Sequence, residues 1–476
     1  MLLQKKYAIL FLLVATAFGL YCFNPFQLYF LNDDFIHIPL SANGQLLQHN
    51  SFRPVCDISI MLDYYLWGTN AYGWHITNLL LHIINTALVF ILSKKLCNKY
   101  FIVHFPLAFF TALLFFLYAM HSEAVFWILG RSASLGFLFS ISSVIFFLKR
   151  NKAIYYVPAI LFAIIAWLSY ESAWILIFIF ATISFADVNM QTTNRTAEIK
   201  INVAIIIFFI AYLFARNYFI NEVIGQYGTN AFLNFNIETL GINFLKLALR
   251  SWLPPSENKI LLICAFVLTC LILVAFLITA KEKNKKITFV VLIILWLVSL
   301  IPYASLSVDT KGTESERFLY MPSFFVCCII VFIASCISLR WLRNLFLSFF
   351  FLLNMFFLWN SSSDYQFAST VSKTAMEEVQ TIEQHDILLI DALPQEYHGA
   401  LIFRKGFTEG VKWMNNKIDS VIILSVQQTD QRYTKNYRAE NILPVVSENN
   451  KLIQTANNNN FVYLKFADST LQVYRH

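Results

Sequence analysis

Long uninterrupted hydrophobic runs, separated by short polar stretches, occupy most of this chain. The runs are about 17–25 residues long, the length of helix that crosses roughly 30 Å of hydrocarbon. Their apolar residues are continuous rather than alternating, which favours helices over the strands of a membrane barrel. The pattern predicts a polytopic α-helical membrane protein. Its eleven predicted spans are residues 7–30, 76–93, 101–120, 132–148, 153–169, 172–187, 201–219, 260–280, 287–305, 319–339 and 341–359.

From about residue 361 the pattern changes to that of a soluble fold. Short β-prone runs bounded by polar turns are typical of strands in such a fold. These runs are residues 387–390, 420–425 and 461–466, and a helix-prone stretch covers 370–384. We therefore divide the chain into a transmembrane module, 1–360, and a small soluble α/β domain, 361–476.

Two segments between the spans also stand out. The first outer loop, residues 31–75, is long and rich in His, Asp, Asn and aromatic residues, and we expect it to carry the catalytic residues. Residues 237–250 have the spacing of an amphipathic helix that lies on the membrane surface.

The distribution of Lys and Arg predicts the orientation. With the N-terminus in the cytoplasm, most Lys and Arg residues of the short loops fall on the cytoplasmic side, as the positive-inside rule requires. The connection at residues 169–172 is short enough to be a kink within one helix, but this charge distribution supports two separate spans. We expect a cytoplasmic N-terminus and a C-terminal domain on the other face.

Composition supports a membrane protein and argues against a soluble protein, a nucleic-acid-binding protein and a disulfide-based fold. Hydrophobic residues make up 58% of the 476 residues and charged residues only 13%, too few to cover a soluble chain of this length. The net charge of +7 is explained by cytoplasmic anchoring, so no nucleic-acid partner is expected. Most of the eight cysteines lie in apolar runs, so no disulfide framework is indicated.

The most distinctive polar group is Asn32-Asp33-Asp34, where the first helix leaves the membrane. A carboxylate here could act as a general base toward an acceptor hydroxyl, or it could bind a metal. The alternative is a helix cap or a solvated turn. The sequence does not distinguish Asp33 from Asp34 as the base.

Further ionisable and aromatic residues fall on the same predicted face. They are Arg53, His75, His121, Glu123, Arg131, Glu171, Arg317 and Tyr320. A lone His is often a packed helix-end residue, and His82 is interpreted as structural. Glu123 and Arg131 could simply form an ion pair. The coincidence on one face is the stronger signal, because carboxylates and cations at headgroup depth suit a substrate with a lipid-borne phosphate.

The motifs occur in an order that resembles a known family. Asn-Asp-Asp, Phe-Arg-Pro, Leu-Trp-Gly…Gly-Trp-His-Ile-Thr-Asn, His-x-Glu-Ala-Val-x-Trp…Gly-Arg, Leu-Ser-x-Glu-Ser-Ala and Glu-Arg-Phe-Leu-Tyr-x-Pro-Ser follow one another over residues 25–340. This set is similar to the membrane part of the TMTC-type O-mannosyltransferases of the GT-C glycosyltransferase superfamily.

The resemblance implies a GT-C-like fold, a polyprenyl- or dolichyl-phosphate-linked sugar donor and an inverting transfer. It implies that the acidic pair is Asp33 and Asp34 and that Arg53, His75, Arg131 and Arg317 are candidates for holding the donor phosphate. Many relatives with lipid-monophosphate donors need no metal, so we expect no metal and no other cofactor.

Two departures limit this resemblance. The tail lacks the tetratricopeptide repeats of that family, so the acceptor is left open as a glycan, a lipid or a protein. The position before Glu171, usually basic in that family, is Tyr170, which weakens a phosphate role there. The tail motif that starts at Leu393 resembles tails of bacterial membrane glycosyltransferases, and the Asn-, Lys- and Ile-rich usage favours a bacterial inner membrane with a periplasmic site.

The leading hypothesis is thus a membrane glycosyltransferase. A transporter or flippase of a lipid-linked glycan is the main alternative, although such a protein should place charges or helix breaks near mid-membrane rather than at one interface. An assembly or scaffold protein is a third possibility, and it leaves the polar clusters unexplained.

Overall fold

The structure is a computed structural model. It describes residues 16–45, 52–100, 106–150, 153–189, 195–221, 236–279, 282–382, 385–427, 461–467 and 470–475. Part of the first predicted span, residues 7–15, and residues 46–51 of the first outer loop lie outside the described residues.

The described part is mainly helical. Residues 16–22 are helical, and the helices that follow are α1 Asp34–Ala42, α2 Pro54–Trp67, α3 Ala71–Tyr100, α4 Leu107–Phe116, α5 Ser122–Phe126, α6 Arg131–Phe147, α7 Tyr156–Trp167, α8 Leu176–Asn189, α9 Arg195–Ile220, α10 Ile237–Arg250, α11 Lys259–Thr279, α12 Lys283–Leu300, α13 Tyr320–Cys336, α14 Arg340–Gln380 and α15 Phe407–Met414.

Within the described residues, fewer helices meet the length of a full span than the eleven predicted. Seven are long and apolar enough to cross a membrane, and α4 with residues 119–126 makes an eighth that is bent by 56°. The predicted spans at 132–148 and 153–169 are the shorter apolar helices α6 and α7. Of the four predicted spans that are not among these seven, one is broken, two are short, and the first lies partly outside the described residues.

Polar side chains from neighbouring helices stabilise the broken span. A break in lipid leaves backbone groups without partners, and these need partners from the protein. The ring nitrogen Nε2 of His82 lies 3.0 Å from the Phe116 carbonyl oxygen, and the Ala119 N–H donates to Asn354 Oδ1 at 3.1 Å. The bend is thus part of the packed interior, which agrees with the structural role predicted for His82.

Burial separates central helices from lipid-facing ones. α13 is buried along almost its whole length, whereas α11 exposes Ile260, Leu261, Ile263 and other large apolar side chains. An exposed apolar helix in such a bundle faces the acyl chains of the bilayer. The centre of the bundle therefore lies around α13 and the helices packed on it.

The amphipathic helix predicted at 237–250 is α10, with the same bounds. Its first residue, Ile237, is exposed, but its last residue, Arg250, is fully buried. The Arg250 guanidinium pairs with Glu316 and donates from Nε to the Asp309 carbonyl at 2.9 Å. One end of α10 is therefore fixed to the loop before α13.

A small sheet follows the last membrane helix. α14 continues without a break through the boundary predicted at residue 360 and ends at Gln380. The strands are β1 His385–Asp391, β2 Glu396–Tyr397, β3 Ala400–Leu401, β4 Ile418–Ile423, β5 Phe461–Ala467 and β6 Thr470–Arg475. The main sheet has the order β4-β1-β5-β6, with β1 parallel to β4 and β5, and β6 antiparallel to β5. We call residues 385–475 the C-terminal unit.

Candidate active site

The Asn32-Asp33-Asp34 group forms a tight turn at the start of α1. Asn32 is buried and has a φ of +49°, in the left-handed region that non-glycine residues seldom adopt. Asn tolerates this conformation better than most residues. Asp33 is the N-cap residue of α1, and Asp34 is the first residue of its first turn.

Asp34 points into the protein and holds the turn together. It is fully buried; its Oδ2 accepts from the Leu31 N–H at 3.0 Å and its Oδ1 from the Leu129 N–H at 3.3 Å. Burial raises the pKa of this carboxyl well above its usual range, and the two N–H donors oppose that rise. Both carboxylate oxygens of Asp34 are therefore used by the fold.

Asp33 is placed differently. Its side chain is partly exposed, it makes no capping hydrogen bond to α1, and its Oδ1 is buried with no hydrogen-bond partner in the described part of the chain. Because native proteins pair most buried polar atoms, an unpaired carboxylate oxygen marks a position that a ligand or solvent can use. Within the described residues, the Asp33 side chain therefore does not cap α1, which was the alternative role that the sequence left open.

Glu123 and Arg317 lie beside this turn. The Arg317 side chain forms an ion pair with Glu123, and its backbone N–H donates to Glu123 Oε2 at 2.9 Å. The guanidinium stacks over the Trp127 ring at 5.2 Å, and the Trp127 indole donates to the Leu31 carbonyl at 3.3 Å. Trp127 thereby connects the Arg317 cation to the residue just before Asn32.

Arg131 pairs with a residue that the sequence did not suggest. Its Nη1 lies 2.6 Å from Asp63 Oδ2, and its other nitrogens donate to the carbonyls of Ile128 and Trp74 at 3.2 and 3.3 Å. The Arg131 side chain is fully buried. The alternative pairing of Glu123 with Arg131 is therefore wrong, because each has a nearer partner of opposite charge.

Arg53 and Glu171 form a second cluster with Arg216. Arg53 Nη2 lies 2.9 Å and Nε 3.1 Å from Glu171 Oε2, and Arg216 Nη1 donates to Glu171 Oε1 at 3.2 Å. The Arg53 guanidinium lies over the Tyr170 ring at 4.5 Å. Arg53 keeps about a tenth of its side chain exposed, at 11%, whereas Arg216 is fully buried. Arg53 is thus the more accessible cation of this pair.

The predicted His and Tyr residues lie deeper in the bundle. His121 Nε2 is 2.6 Å from the Ser323 hydroxyl, and the Tyr320 hydroxyl is 2.7 Å from His82 Nδ1. His75 Nε2 lies 3.2 Å from the Tyr29 carbonyl. All of these rings are buried, so they face protein rather than open solvent.

The predicted residues thus fall into two groups that differ in side-chain exposure. Asp33, Arg53 and Arg317 keep partly exposed side chains, whereas Glu123 and Glu171 are buried, as are Arg131, His75, His121 and Tyr320. Asp63, Arg216, Arg250 and Glu316 were missed; each is a buried charge in an apolar chain, the signal that could have found them. Among the described residues, no three His, Cys, Asp or Glu side chains are grouped to hold a metal ion.

No family model matches the chain. Its sequence is similar to curated proteins named protein O-mannosyl-transferases. It is 24% identical to one from Caenorhabditis elegans over 309 residues, 60% of this chain and 42% of that protein. It is 35% identical to human TMTC1 over 106 residues, 22% of this chain and 11% of that protein. It is 37% identical to Drosophila melanogaster Tmtc2 over 109 residues, 23% of this chain and 11% of that protein.

These matches confirm the resemblance that the motifs predicted. The chain spans less than half of the length of these relatives.

The fold is similar to the crystal structure of ArnT from Cupriavidus metallidurans bound to undecaprenyl phosphate. The TM-score is 0.52, the match covers 98% of this chain and 94% of that chain, and sequence identity is 11%. At this identity the likeness shows the fold alone, and it confirms the predicted GT-C-like membrane fold with a C-terminal α/β part.

Proposed function

We propose that this protein is a membrane glycosyltransferase that moves a sugar from a polyprenyl-phosphate carrier to an acceptor outside the cytoplasm. The observation that carries the proposal is the Asp33 carboxylate, whose Oδ1 has no hydrogen-bond partner within the described residues and whose turn is connected through Trp127 to the Arg317–Glu123 ion pair. The similarity to O-mannosyl-transferases supports transfer of a hexose. The likeness to a fold with bound undecaprenyl phosphate supports a lipid-phosphate donor.

Asp33, rather than Asp34, is the proposed general base. A base must reach the proton it removes, and Asp34 has both oxygens bound to backbone N–H groups inside the protein. In the proposed reaction, Asp33 takes the proton of an acceptor hydroxyl, and the acceptor oxygen forms a bond to the anomeric carbon. The bond from that carbon to the phosphate oxygen breaks, the polyprenyl phosphate leaves, and the configuration inverts.

Arg53 and Arg317 are the proposed contacts of the donor phosphate. Both side chains are partly exposed, at 11% and 13%, and an Arg fork matches the oxygens of a phosphate. Each is oriented by a buried carboxylate, Glu171 or Glu123. In this scheme the buried residues Arg131, His75, His121 and Tyr320 do not touch the donor.

The proposed location is a bacterial inner membrane with the N-terminus in the cytoplasm and the C-terminal unit in the periplasm. The excess of Lys and Arg in the loops on one side supports this orientation. The acceptor is a glycan, a lipid or a protein, and the reaction needs no metal ion.

The function is tested with the full chain in nanodiscs and polyprenyl phosphate that carries tritiated mannose, with an extract of the native cells as acceptor pool. We expect label to leave the carrier and to appear in one acceptor fraction. If labelled carrier instead crosses the bilayer of proteoliposomes and keeps its sugar, the flippase alternative is correct. If the carrier is neither consumed nor moved, the proposal is wrong.

Asp33→Asn tests the base. The substitution keeps the shape but removes the basic oxygen, so kcat should fall by about 100-fold or more while the protein stays folded. Asp34→Asn should instead lower thermal stability, because an amide cannot accept from both N–H donors. If Asp33→Asn retains full transfer, another residue is the base.

A further inference from the structure

The C-terminal unit contacts the Asn32 turn through two hydrogen bonds. The Asn32 N–H donates to the Ile402 carbonyl at 2.7 Å. The side chain of the same residue accepts from the Lys405 N–H, at 2.8 Å from Oδ1. Asn32 thus uses both its backbone donor and its side-chain acceptor on one short segment, which we call the docking segment, residues 402–406.

The absence of a side chain at Gly406 allows this contact. Its φ is +80°, and a Cβ added to it would lie 2.5 Å from the Asn32 carbonyl oxygen. Such a separation is too short for a real Cβ, and the atom it meets is backbone, which cannot rotate away. Only glycine therefore lets the docking segment approach Asn32 this closely.

Aromatic packing fixes Phe35, the residue that follows the turn, to the same unit. Phe35 is fully buried, with ring centroids 5.9 Å from Phe403 and 6.4 Å from Trp413. Trp413 also packs on Phe30 at 5.2 Å. Aromatic rings on both sides of Asp33 and Asp34 in the chain are therefore held by the C-terminal unit.

A second contact connects the unit to the loop that carries Arg317. Arg404, within the docking segment, lies 2.7 Å from Glu314 and also pairs with Glu396. The Thr313 N–H donates to the His398 carbonyl at 3.3 Å. One segment of the C-terminal unit thus bridges the two loops that supply the proposed base and one proposed phosphate contact.

We infer that the docking segment positions the catalytic turn, so that sugar transfer depends on the C-terminal unit. Asn32 is held in a left-handed conformation that costs free energy in isolation, and the contacts to Ile402 and Lys405 compensate for it. With Asn32 fixed, the next residue, Asp33, has a fixed direction toward the acceptor. Asn32 and Gly406 are thereby positioning residues, and the inference rests on the proposed function.

The test uses Gly406→Ala in the full chain, measured in nanodiscs with the tritiated-mannose carrier. A shift of the turn by about 1 Å should lower kcat by roughly 10- to 100-fold, with the donor KM little changed because Arg53 and Arg317 stay in place. Gly44→Ala is the matched control. Its φ is +72°, but nothing lies within 4 Å of an added Cβ, so it tests backbone strain alone and should keep kcat.

Hydrogen–deuterium exchange gives a readout independent of activity. In Gly406→Ala, exchange should rise at the Asn32 amide and at Lys405, whose N–H groups form the docking hydrogen bonds. Asn32→Ala removes the acceptor for Lys405 and should act in the same direction. Asn32→Asp keeps that acceptor and should restore most of the protection and of kcat.

Wild-type kcat in Gly406→Ala together with raised exchange overturns the inference, because docking would then be dispensable for catalysis. Unchanged exchange in both Gly406→Ala and Asn32→Ala also overturns it. If Gly406→Ala does not fold, the comparison of Asn32→Ala with Asn32→Asp tests the inference instead. A wild-type protein that transfers no sugar refutes the proposed function instead, and the exchange data still report whether the contact exists.

Discussion

Two buried ionic clusters lie in different parts of the molecule and differ in one respect. The outer cluster contains the Asp33 turn with Glu123 and Arg317. The other cluster compared with it, which we call the closed network, joins the ends of α3, α6, α8 and α9. In the closed network Asp187 lies 2.6 Å from both Lys99 and Arg150, and Arg150 Nε lies 3.0 Å from Glu198.

The difference that matters here is whether the carboxylate oxygens have hydrogen-bond or ion-pair partners. In the closed network, the buried carboxylates of Asp187 and Glu198 are both paired with cations. In the outer cluster, Asp33 Oδ1 is buried and has no hydrogen-bond partner within the described residues. Buried charge in a membrane protein is therefore insufficient to indicate catalysis. A carboxylate oxygen that the fold leaves unused is the more specific sign.

The largest expected contrast is between Asp33→Asn and Asp187→Asn. Asp33→Asn should abolish most transfer and leave stability nearly unchanged. Asp187→Asn removes a carboxylate partner from the buried Arg150, which keeps Glu198, and from the partly exposed Lys99. It should cost about 3 kcal/mol of stability, with normal kcat for the folded fraction. Thermal denaturation in detergent, read beside the transfer assay, separates the two.

A solvent-exposed pair provides the control for that comparison. Lys285 and Glu282 are 2.6 Å apart, with 38% and 65% of their side chains exposed. Glu282→Gln should change stability by no more than about 1 kcal/mol. If Asp187→Asn is equally mild, or if it lowers kcat as Asp33→Asn does, the distinction between the two clusters is wrong.

A smaller effect is expected from Arg53→Lys in the separate cluster that Arg53 forms with Glu171 and Arg216. Lysine keeps the charge but loses the fork that binds Glu171 through two nitrogens and the planar group that stacks on Tyr170. The KM for the labelled carrier should rise roughly tenfold, since about 1.4 kcal/mol of binding corresponds to that factor, and kcat should change less. Arg195→Lys, at an exposed position, is the matched control, and equal KM values for the two variants would contradict a phosphate role for Arg53.

The smallest effect should come from removal of divalent metal. The phosphate contacts proposed above are Arg side chains, and the described residues contain no group of three His, Cys, Asp or Glu side chains that could hold a metal ion. Transfer in excess EDTA should equal transfer without it, and added Mg²⁺ or Mn²⁺ should not increase it. Loss of transfer in EDTA that Mn²⁺ restores would show that a metal takes part.

The sequence was most informative for elements whose spacing of apolar residues is itself typical of a helix or a strand. Continuous apolar runs predicted the long helices, and the amphipathic spacing of residues 237–250 predicted α10 with its observed bounds. The β-prone runs coincide with β1, β4 and β5. Periodicity carries no information on breaks, so the sequence predicts one straight span at 101–120, where the structure has the bend between α4 and residues 119–126.

Pairing between distant residues was not predictable from one sequence. The partners of Arg53, Arg131 and Arg317 are 118, 68 and 194 residues away along the chain. The motifs indicated that these cations matter, but the assignment of each to its carboxylate required the fold. The same holds for Asp33 and Asp34, which are adjacent in sequence and opposite in environment.

The unbroken helix α14 restricts how its own length can change. It runs from the membrane to the C-terminal unit over 41 residues, and an α-helix turns by about 100° with each residue. One residue inserted into α14 would rotate the sheet about the helix axis by that angle and turn the docking segment away from Asn32. Natural changes in the length of α14 should therefore come in steps close to whole helical turns, so that the angular phase between bilayer and sheet is conserved even where the residues are not.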